Sequence, residues 1–141
     1  MQKTCGIWIN VLSHMIKRRL NATMQRLGLT GVQGHVMHFI VLKCAEGPVY
    51  QRDVEAAFGL SRSTATGILQ LMEKNGLIQR ESAADDARLK SLIPTAKAAE
   101  LEEEVMASLR QTDELLIKGL TQEQIEQFYA VAAHMCANLE E

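Results

Sequence analysis

The chain has 141 residues, a formal net charge of −2 and an aromatic content of only 4%. This length suits one domain with its appendages rather than two full domains, and no apolar run approaches the ~20 residues that a membrane-spanning helix needs. Three separated cysteines argue against a disulfide framework, and polar residues interrupt the apolar N-terminal patch with no cleavage site after it, so we expect free thiols, no signal peptide and a cytoplasmic protein.

Apolar periodicity and end signals predict the order α-α-β-α-α-β-β-α-α. The first helix ends at Gly28. Thr30 with Gln33, and Thr121 with Gln124, have the capping-box spacing that begins a helix. The predicted helices lie at 6–27, 30–46, 51–58, 61–75, 95–118 and 121–139, and the predicted strands at 49–50, 77–80 and 89–93.

The long helix at 95–118 would extend ~36 Å at 1.5 Å per residue, which is more than a small core covers. The first and last helices have the same excess of apolar surface. A two-fold dimer would bury all three, whereas the alternative is a monomeric helical bundle. We therefore expect one chain of residues 1–141 in which 1–30 and 95–141 form a homodimer interface around a lobe at 31–94.

Residues 51–70 fit a helix-turn-helix, in which two short, steeply crossing helices share a core through a few interior positions. Gly59 stands at the turn, where a positive φ is needed. Glu55 occupies a position where a small residue is common. The predicted interior residues are Val54, Phe58, Leu60, Ala65, Ile68 and Leu69.

The second helix of this unit has a polar outer face without Glu or Lys before Glu73. Such a face suits the major groove of DNA, where Arg bonds guanine, Gln bonds adenine, and a glycine lets the backbone approach closely. The alternative is an ordinary solvated face. The predicted DNA-binding residues of this helix are Ser61, Arg62, Ser63, Thr64, Thr66, Gly67, Gln70 and Lys74.

Charge is distributed unevenly along the chain. Residues 1–30 contain five Lys or Arg and no acid, whereas residues 98–141 contain two bases and ten acids. Because the protein is not basic overall, contact with nucleic acid must be local and directed by geometry.

The two strands at 77–80 and 89–93 predict a hairpin beside the helix-turn-helix. A wing of this kind reaches the neighbouring minor groove, where Arg88 is the expected reader and Lys90 the expected phosphate contact. Asp86 would repel phosphate, so we expect it to fix the wing tip instead. The alternative is a solvated surface hairpin.

The runs RLGLTGVQ, GLSRSTATGILQLMEKNGLIQR and DDARLKSLIPTAKA resemble the MarR family of transcription factors over essentially the whole chain. The resemblance implies a triangular winged-helix homodimer that binds pseudo-palindromic promoter DNA, and we expect a repressor. Gly67 and Leu71 stand where relatives often have longer polar or basic residues, and Ala98 replaces a frequent Gly. These differences bear on DNA sequence preference rather than on fold.

The family resemblance implies control by a phenolic or other anionic ligand, by oxidation or by metal. A ligand would bind in the cleft between the dimer helices and the DNA-binding lobe, with His14, Arg18 and His38 nearest to it. Cys5 lies close to the sequence position at which hydroperoxide sensors of the family have their reactive cysteine. The tyrosines that surround the thiol in those sensors are absent near Cys5 in this sequence.

Metal binding by His35, His38 and Cys44 is a weaker alternative, because no compact ligand cluster exists. We expect no metal and no cofactor. No phosphate loop, nucleophile elbow or paired-carboxylate pattern predicts an enzyme, and the run Glu102-Glu103-Glu104 fits a solvated helix face. A winged helix that binds protein rather than DNA is the remaining alternative.

Overall fold

The structure is a computed structural model that describes residues 2–82 and 89–140. It confirms the predicted mainly helical winged-helix fold. The expected short strand at 49–50 is a single bridge between Tyr50 and Ser91. The elements are α1 Cys5–Arg26, α2 Gly31–Cys44, α3 Gln51–Phe58, α4 Arg62–Lys74, β1 Ile78–Ser82, β2 Lys90–Pro94, α5 Ala96–Ile117 and α6 Gln122–Leu139.

Both predicted capping boxes are present. The Thr30 hydroxyl accepts a hydrogen bond from the Gln33 amide, and the Gln33 side chain accepts one from the Thr30 amide. Thr121 and Gln124 bond in the same reciprocal way at the start of α6. Each pair satisfies two amide groups that the first helical turn leaves without partners, which explains why these starts are readable from four residues of sequence.

The chain divides into two compact units, Met1–Ser108 and Leu109–Glu141. All buried apolar side chains of the described residues lie in the first unit. There α1 and α2 cross at Gly34, where an added Cβ would overlap the buried Met24 side chain. A hydrogen bond of 2.7 Å between the hydroxyls of Thr23 and Ser108 joins α1 to the first part of α5.

The helix-turn-helix forms as predicted at Gly59, whose φ of 62° places it in the left-handed region. Val54 and Ala65 are fully buried. Three of the predicted interior residues lie nearer the surface: Phe58 is exposed and packs edge-on against the Phe39 ring, and Leu60 and Ile68 are only half-buried.

Leu69 fills the core position that the sequence pattern assigned jointly to it and to Ile68. Successive side chains in a helix differ by about 100° in direction, since one turn takes 3.6 residues. A pattern that allows both residues therefore leaves the rotation of α4 uncertain by that angle. The structure gives Leu69 the buried position and Ile68 the edge of the core.

The wing begins as an antiparallel pair in which Ile78 pairs with Pro94 and Ser82 with Lys90. The backbone carbonyl groups that directly follow α4 accept hydrogen bonds from residues at the start of α5. The Thr95 hydroxyl donates to the Gly76 carbonyl at 2.5 Å, the Thr95 amide donates to the Leu77 carbonyl at 3.1 Å, and the Lys97 ammonium group donates to the Asn75 carbonyl at 2.9 Å.

The acidic run on α5 differs from the expected solvated face. Glu103 and Glu104 are exposed, but Glu102 is only 6% exposed and its Oε1 contacts His38 Nδ1 on α2. The Glu102 Oε2 atom is buried and has no hydrogen-bond partner among the described residues. One carboxylate of the three therefore belongs to the protein interior, because its position on α5 faces α2.

The second unit consists of the C-terminal turns of α5 and the whole of α6. No residue of α6 is buried, and Phe128 and Tyr129 are 61% and 62% exposed. None of the helices in the described residues is long and apolar enough to cross a membrane.

Candidate nucleic-acid interface

The N-terminal half of α4 has one buried face and one exposed polar face. Ala65 and Leu69 are buried on the first. This arrangement agrees with the expected rotation of α4, which is the recognition helix of the helix-turn-helix. A role in DNA contact stays a prediction for each exposed residue. The exposed residues are Arg62, Ser63, Gly67, Gln70 and Lys74, and Thr66 is half-buried.

Two of the predicted DNA-binding hydroxyl groups form the start of α4. The Ser61 hydroxyl accepts from the Thr64 amide at 3.2 Å and donates to the Thr64 hydroxyl at 2.9 Å. An N-cap of this kind fixes the first turn of a helix. Ser61 and Thr64 therefore hold the end of the helix from which Arg62 and Ser63 project.

Gln51 is a polar residue of this surface that the sequence reasoning missed. Its Nε2 donates to the Thr66 hydroxyl at 2.9 Å and to the Arg62 carbonyl at 3.3 Å. Its position as the first residue of α3, beside the start of α4 in a helix-turn-helix, was the available signal. Gln51 thus joins the two helices of the unit by their N-terminal ends.

Gly67 lies in open space on the same surface, since an added Cβ would meet no atom of residues 2–82 and 89–140 within 4 Å. The residue is therefore not required by packing within the chain. This agrees with a position where another molecule approaches the helix backbone.

The wing is described only in part. Lys90 is exposed at the start of β2. The predicted minor-groove reader Arg88 and the predicted tip residue Asp86 lie outside the described residues. Their roles therefore stay predictions.

The three residues expected near a ligand differ in their surroundings. His14 and Arg18 are exposed on α1, whereas His38 is half-buried and contacts Glu102. A cleft of about 300 Å³ lies elsewhere in the first unit, and none of the three lines it. The cleft is lined by Leu27, Gly28, Leu29, Gln33, Asn75, Leu77, Lys97 and Leu101.

The geometry gives little support to the other two proposed control mechanisms, thiol oxidation and metal binding. Cys5, Cys44 and Cys136 are exposed free thiols. The ammonium group of Lys3, the cation nearest to Cys5 in sequence, lies 4.5 Å from the centre of the Trp8 ring. Within the described part of the chain, no three His, Cys, Asp or Glu side chains are grouped as metal ligands would be.

The chain is similar to known winged helix-turn-helix regulators. The family model described as "MarR family" matches residues 27–89. The HTH-type transcriptional regulator YwoH of Bacillus subtilis is 25% identical over 120 residues, which are 85% of each chain. MepR, a transcription regulator of the Staphylococcus aureus multidrug efflux pump MepA, has a TM-score of 0.85 at 23% identity, covering 97% of this chain and 99% of that one.

Two further solved structures extend the comparison. MarR from Oenococcus oeni has a TM-score of 0.67 at 27% identity, covering 95% of this chain and 99% of that one. A MepR–DNA complex has a TM-score of 0.75 at 24% identity, covering 92% and 96% of the two chains.

The fold, the exposed recognition helix and the hairpin are together those of a winged-helix, DNA-binding transcription regulator. The match to the MarR family model over residues 27–89 and the similarity to these regulators support the assignment of the chain to the MarR family. Because members of the MarR family regulate transcription, the expectation that the protein is not an enzyme is confirmed by this assignment.

Proposed function

We propose that the protein represses transcription by binding, as a homodimer, a pseudo-palindromic operator in double-stranded DNA. The observation that carries the proposal is the exposed polar surface of α4, to which Arg62 and Gln70 belong while Leu69 is buried in the core. Arg62 and Gln70 are the side chains suited to read base edges in the major groove. Lys74 and Lys90 are exposed and suited to phosphate, and Arg88 is the proposed minor-groove reader.

Changing Gln70 or Arg62 to alanine is expected to relax discrimination at one base pair in each half-site by ~1–3 kcal/mol, because a bidentate contact is lost. The melting temperature should stay close to that of the wild type, since both side chains are exposed. The measurement is binding, at one fixed salt concentration, to duplexes selected by the protein from a random library and then varied one base pair at a time.

Gln25→Ala and Arg110→Ala are the matched controls, because both residues are exposed outside the helix-turn-helix. The controls should leave base preference unchanged. If the protein retains no duplex from the library, it does not bind DNA in the proposed way. If it binds but Gln70→Ala and Arg62→Ala alter no base preference, α4 does not enter the groove.

The homodimer is proposed from apolar surface that the single chain leaves uncovered. On α1, Trp8 and Leu12 are exposed, and on α6 Phe128 and Tyr129 are more than half exposed. Large apolar side chains exposed on each of these helices mark an interaction site. A second copy of the chain would cover it, and an obligate interface of that type buries more than ~2,000 Å² in total.

Analytical sedimentation at micromolar concentration is expected to show a dimer. Phe128→Glu should weaken that dimer, because the new charge would be buried at the interface. Leu42→Glu is the matched control, since Leu42 is similarly exposed but lies on α2 of the winged-helix lobe. A stable, folded wild-type monomer would contradict the proposal, as would equal loss of the dimer in the two variants.

A small anionic or phenolic ligand is proposed to tune DNA binding through His14 and Arg18. The two residues are four apart on α1, so they share one face, and both are exposed. His38 is the least available of the three predicted ligand residues, because Glu102 already contacts its ring nitrogen. An anion at His38 would have to displace a buried carboxylate.

Benzoate and phenol serve as probes of this ligand proposal. Each is added to the protein bound to its selected duplex, and release of DNA is followed by fluorescence anisotropy. We expect benzoate to release DNA from the wild type and to act less on Arg18→Gln. Equal release from both proteins would contradict a role for Arg18, and release by oxidant or metal alone would favour the thiol or metal alternative.

A further inference from the structure

Gln51, Thr66 and the backbone of Arg62 form a closed set of three hydrogen bonds at the start of the recognition helix. Gln51 Nε2 lies 2.9 Å from Thr66 Oγ1 and 3.3 Å from the Arg62 carbonyl oxygen. Thr66 Oγ1 lies 2.8 Å from the same carbonyl oxygen. We name this set the Gln51 triad.

Chemistry fixes every donor in the Gln51 triad. A carbonyl oxygen can only accept, so the Gln51 atom that faces Arg62 must be the amide nitrogen, and the Thr66 hydroxyl must give its proton to Arg62. The second contact of the Gln51 nitrogen then fills one lone pair of the Thr66 oxygen. The Thr66 hydroxyl keeps one lone pair and has no proton left to donate.

This accounting limits what Thr66 can offer to DNA. The acceptors of the major groove, purine N7, guanine O6 and thymine O4, all require a donor, and so do phosphate oxygens. Thr66 has none available while the Gln51 triad is intact. Its γ-methyl group is the part without a polar partner, and the methyl group of threonine is suited to contact the C5-methyl of thymine.

We propose that Gln51 is a positioning residue that makes Thr66 a reader of thymine methyl groups rather than a hydrogen-bond donor. The inference rests on the proposed function, since it requires α4 to lie in the major groove. Gln51 acts through Thr66: its amide holds the oxygen against the backbone, and the methyl group is left to face the base. The half-buried position of both side chains between α3 and α4 favours a fixed geometry.

Deoxyuridine provides the test, because it lacks only the C5-methyl group of thymidine. A duplex that the protein has selected from a random library is remade with deoxyuridine at one thymidine at a time. We expect one position in each half-site at which the substitution weakens wild-type binding about fourfold, equivalent to ~0.8 kcal/mol for one buried methyl group.

Two Thr66 variants separate the methyl group from the hydroxyl. Thr66→Ser keeps the hydroxyl and loses the methyl group, so its binding should be insensitive to deoxyuridine at that position. Thr66→Val loses the hydroxyl but keeps a methyl group on Cβ, and β-branching restricts its χ1 even without the hydrogen bonds, so it should stay sensitive. Sensitivity that persists in Thr66→Ser, or disappears only in Thr66→Val, would overturn the proposal.

Gln51→Met tests positioning, because methionine has similar length and no donor. We expect it to reduce the deoxyuridine effect at that one thymidine, whereas Gln25→Met, a control on the exposed face of α1, should retain the full effect. A Gln51→Met protein with an undiminished effect would show that Gln51 is not the positioning residue.

The failures are distinguishable. If the wild type retains no duplex at all, the proposed function is wrong, and this inference is wrong with it. If the wild type binds selected duplexes but no deoxyuridine substitution weakens binding, the proposed function stands and the inference about Thr66 is overturned.

Discussion

Replacing Leu69 by alanine is expected to lower the free energy of unfolding by about 2–5 kcal/mol. The Leu69 side chain is 0% exposed and lies on the inner face of the recognition helix. Its truncation removes apolar contacts and leaves a cavity that a close-packed core fills only in part. Chemical denaturation followed by circular dichroism measures the change, and DNA binding should fall only in proportion to unfolding.

The two neighbours of Leu69 are matched controls. Ile68→Ala should cost less, because Ile68 is already half-exposed, and Gln70→Ala should change stability by no more than about 0.5 kcal/mol, as is usual for surface positions. A larger loss from Ile68→Ala than from Leu69→Ala would show that α4 is rotated differently about its axis.

Replacing His38 by alanine is expected to destabilise the protein by about 3 kcal/mol, the upper end of the usual cost of leaving a buried polar group without its hydrogen-bond partner. Glu102 would be left buried with neither carboxylate oxygen partnered, since Oε2 has no partner already. The measurement is again the free energy of unfolding, near neutral pH.

Glu102→Gln is the informative companion to His38→Ala. It keeps the size of the side chain and an oxygen that can accept a hydrogen bond from His38, so the expected change is no more than about 1.5 kcal/mol. His14→Ala, at an exposed histidine of α1, should change stability by about 0.5 kcal/mol or less. Equal losses from His38→Ala and His14→Ala would refute the argument that His38 partners a buried carboxyl group.

Local signals made most of the fold predictable. The bonds between Thr30 and Gln33 and between Thr121 and Gln124 join residues three apart, so their geometry follows from neighbouring sequence alone. The positive φ at Gly59 follows from a turn that other residues adopt with strain. Interactions of this kind require no knowledge of how distant segments pack.

Contacts between distant segments were not predictable in the same way. His38 and Glu102 are 64 residues apart, and each alone reads as a surface residue, so only the packing of α2 against α5 reveals the pair. The sequence pattern could not decide which of Ile68 and Leu69 is buried for a related reason, because a short helix has too few turns to fix its rotation from periodicity. Gln51 and Thr66 are an intermediate case, since helix-turn-helix geometry brings the two helix starts together.

The hydrogen bonds at the base of the hairpin bear on where proteins of this fold can accept insertions and deletions. Thr95 is bonded to the Gly76 and Leu77 carbonyls, so the chain returns to the end of α4 at the point where it left. Insertions or deletions between Ser82 and Lys90 would therefore be accommodated beyond this junction, and closing a longer loop costs only ~0.6 kcal/mol for each doubling of its length. The length of the wing can vary in this way while the recognition helix keeps its orientation relative to the first turn of α5.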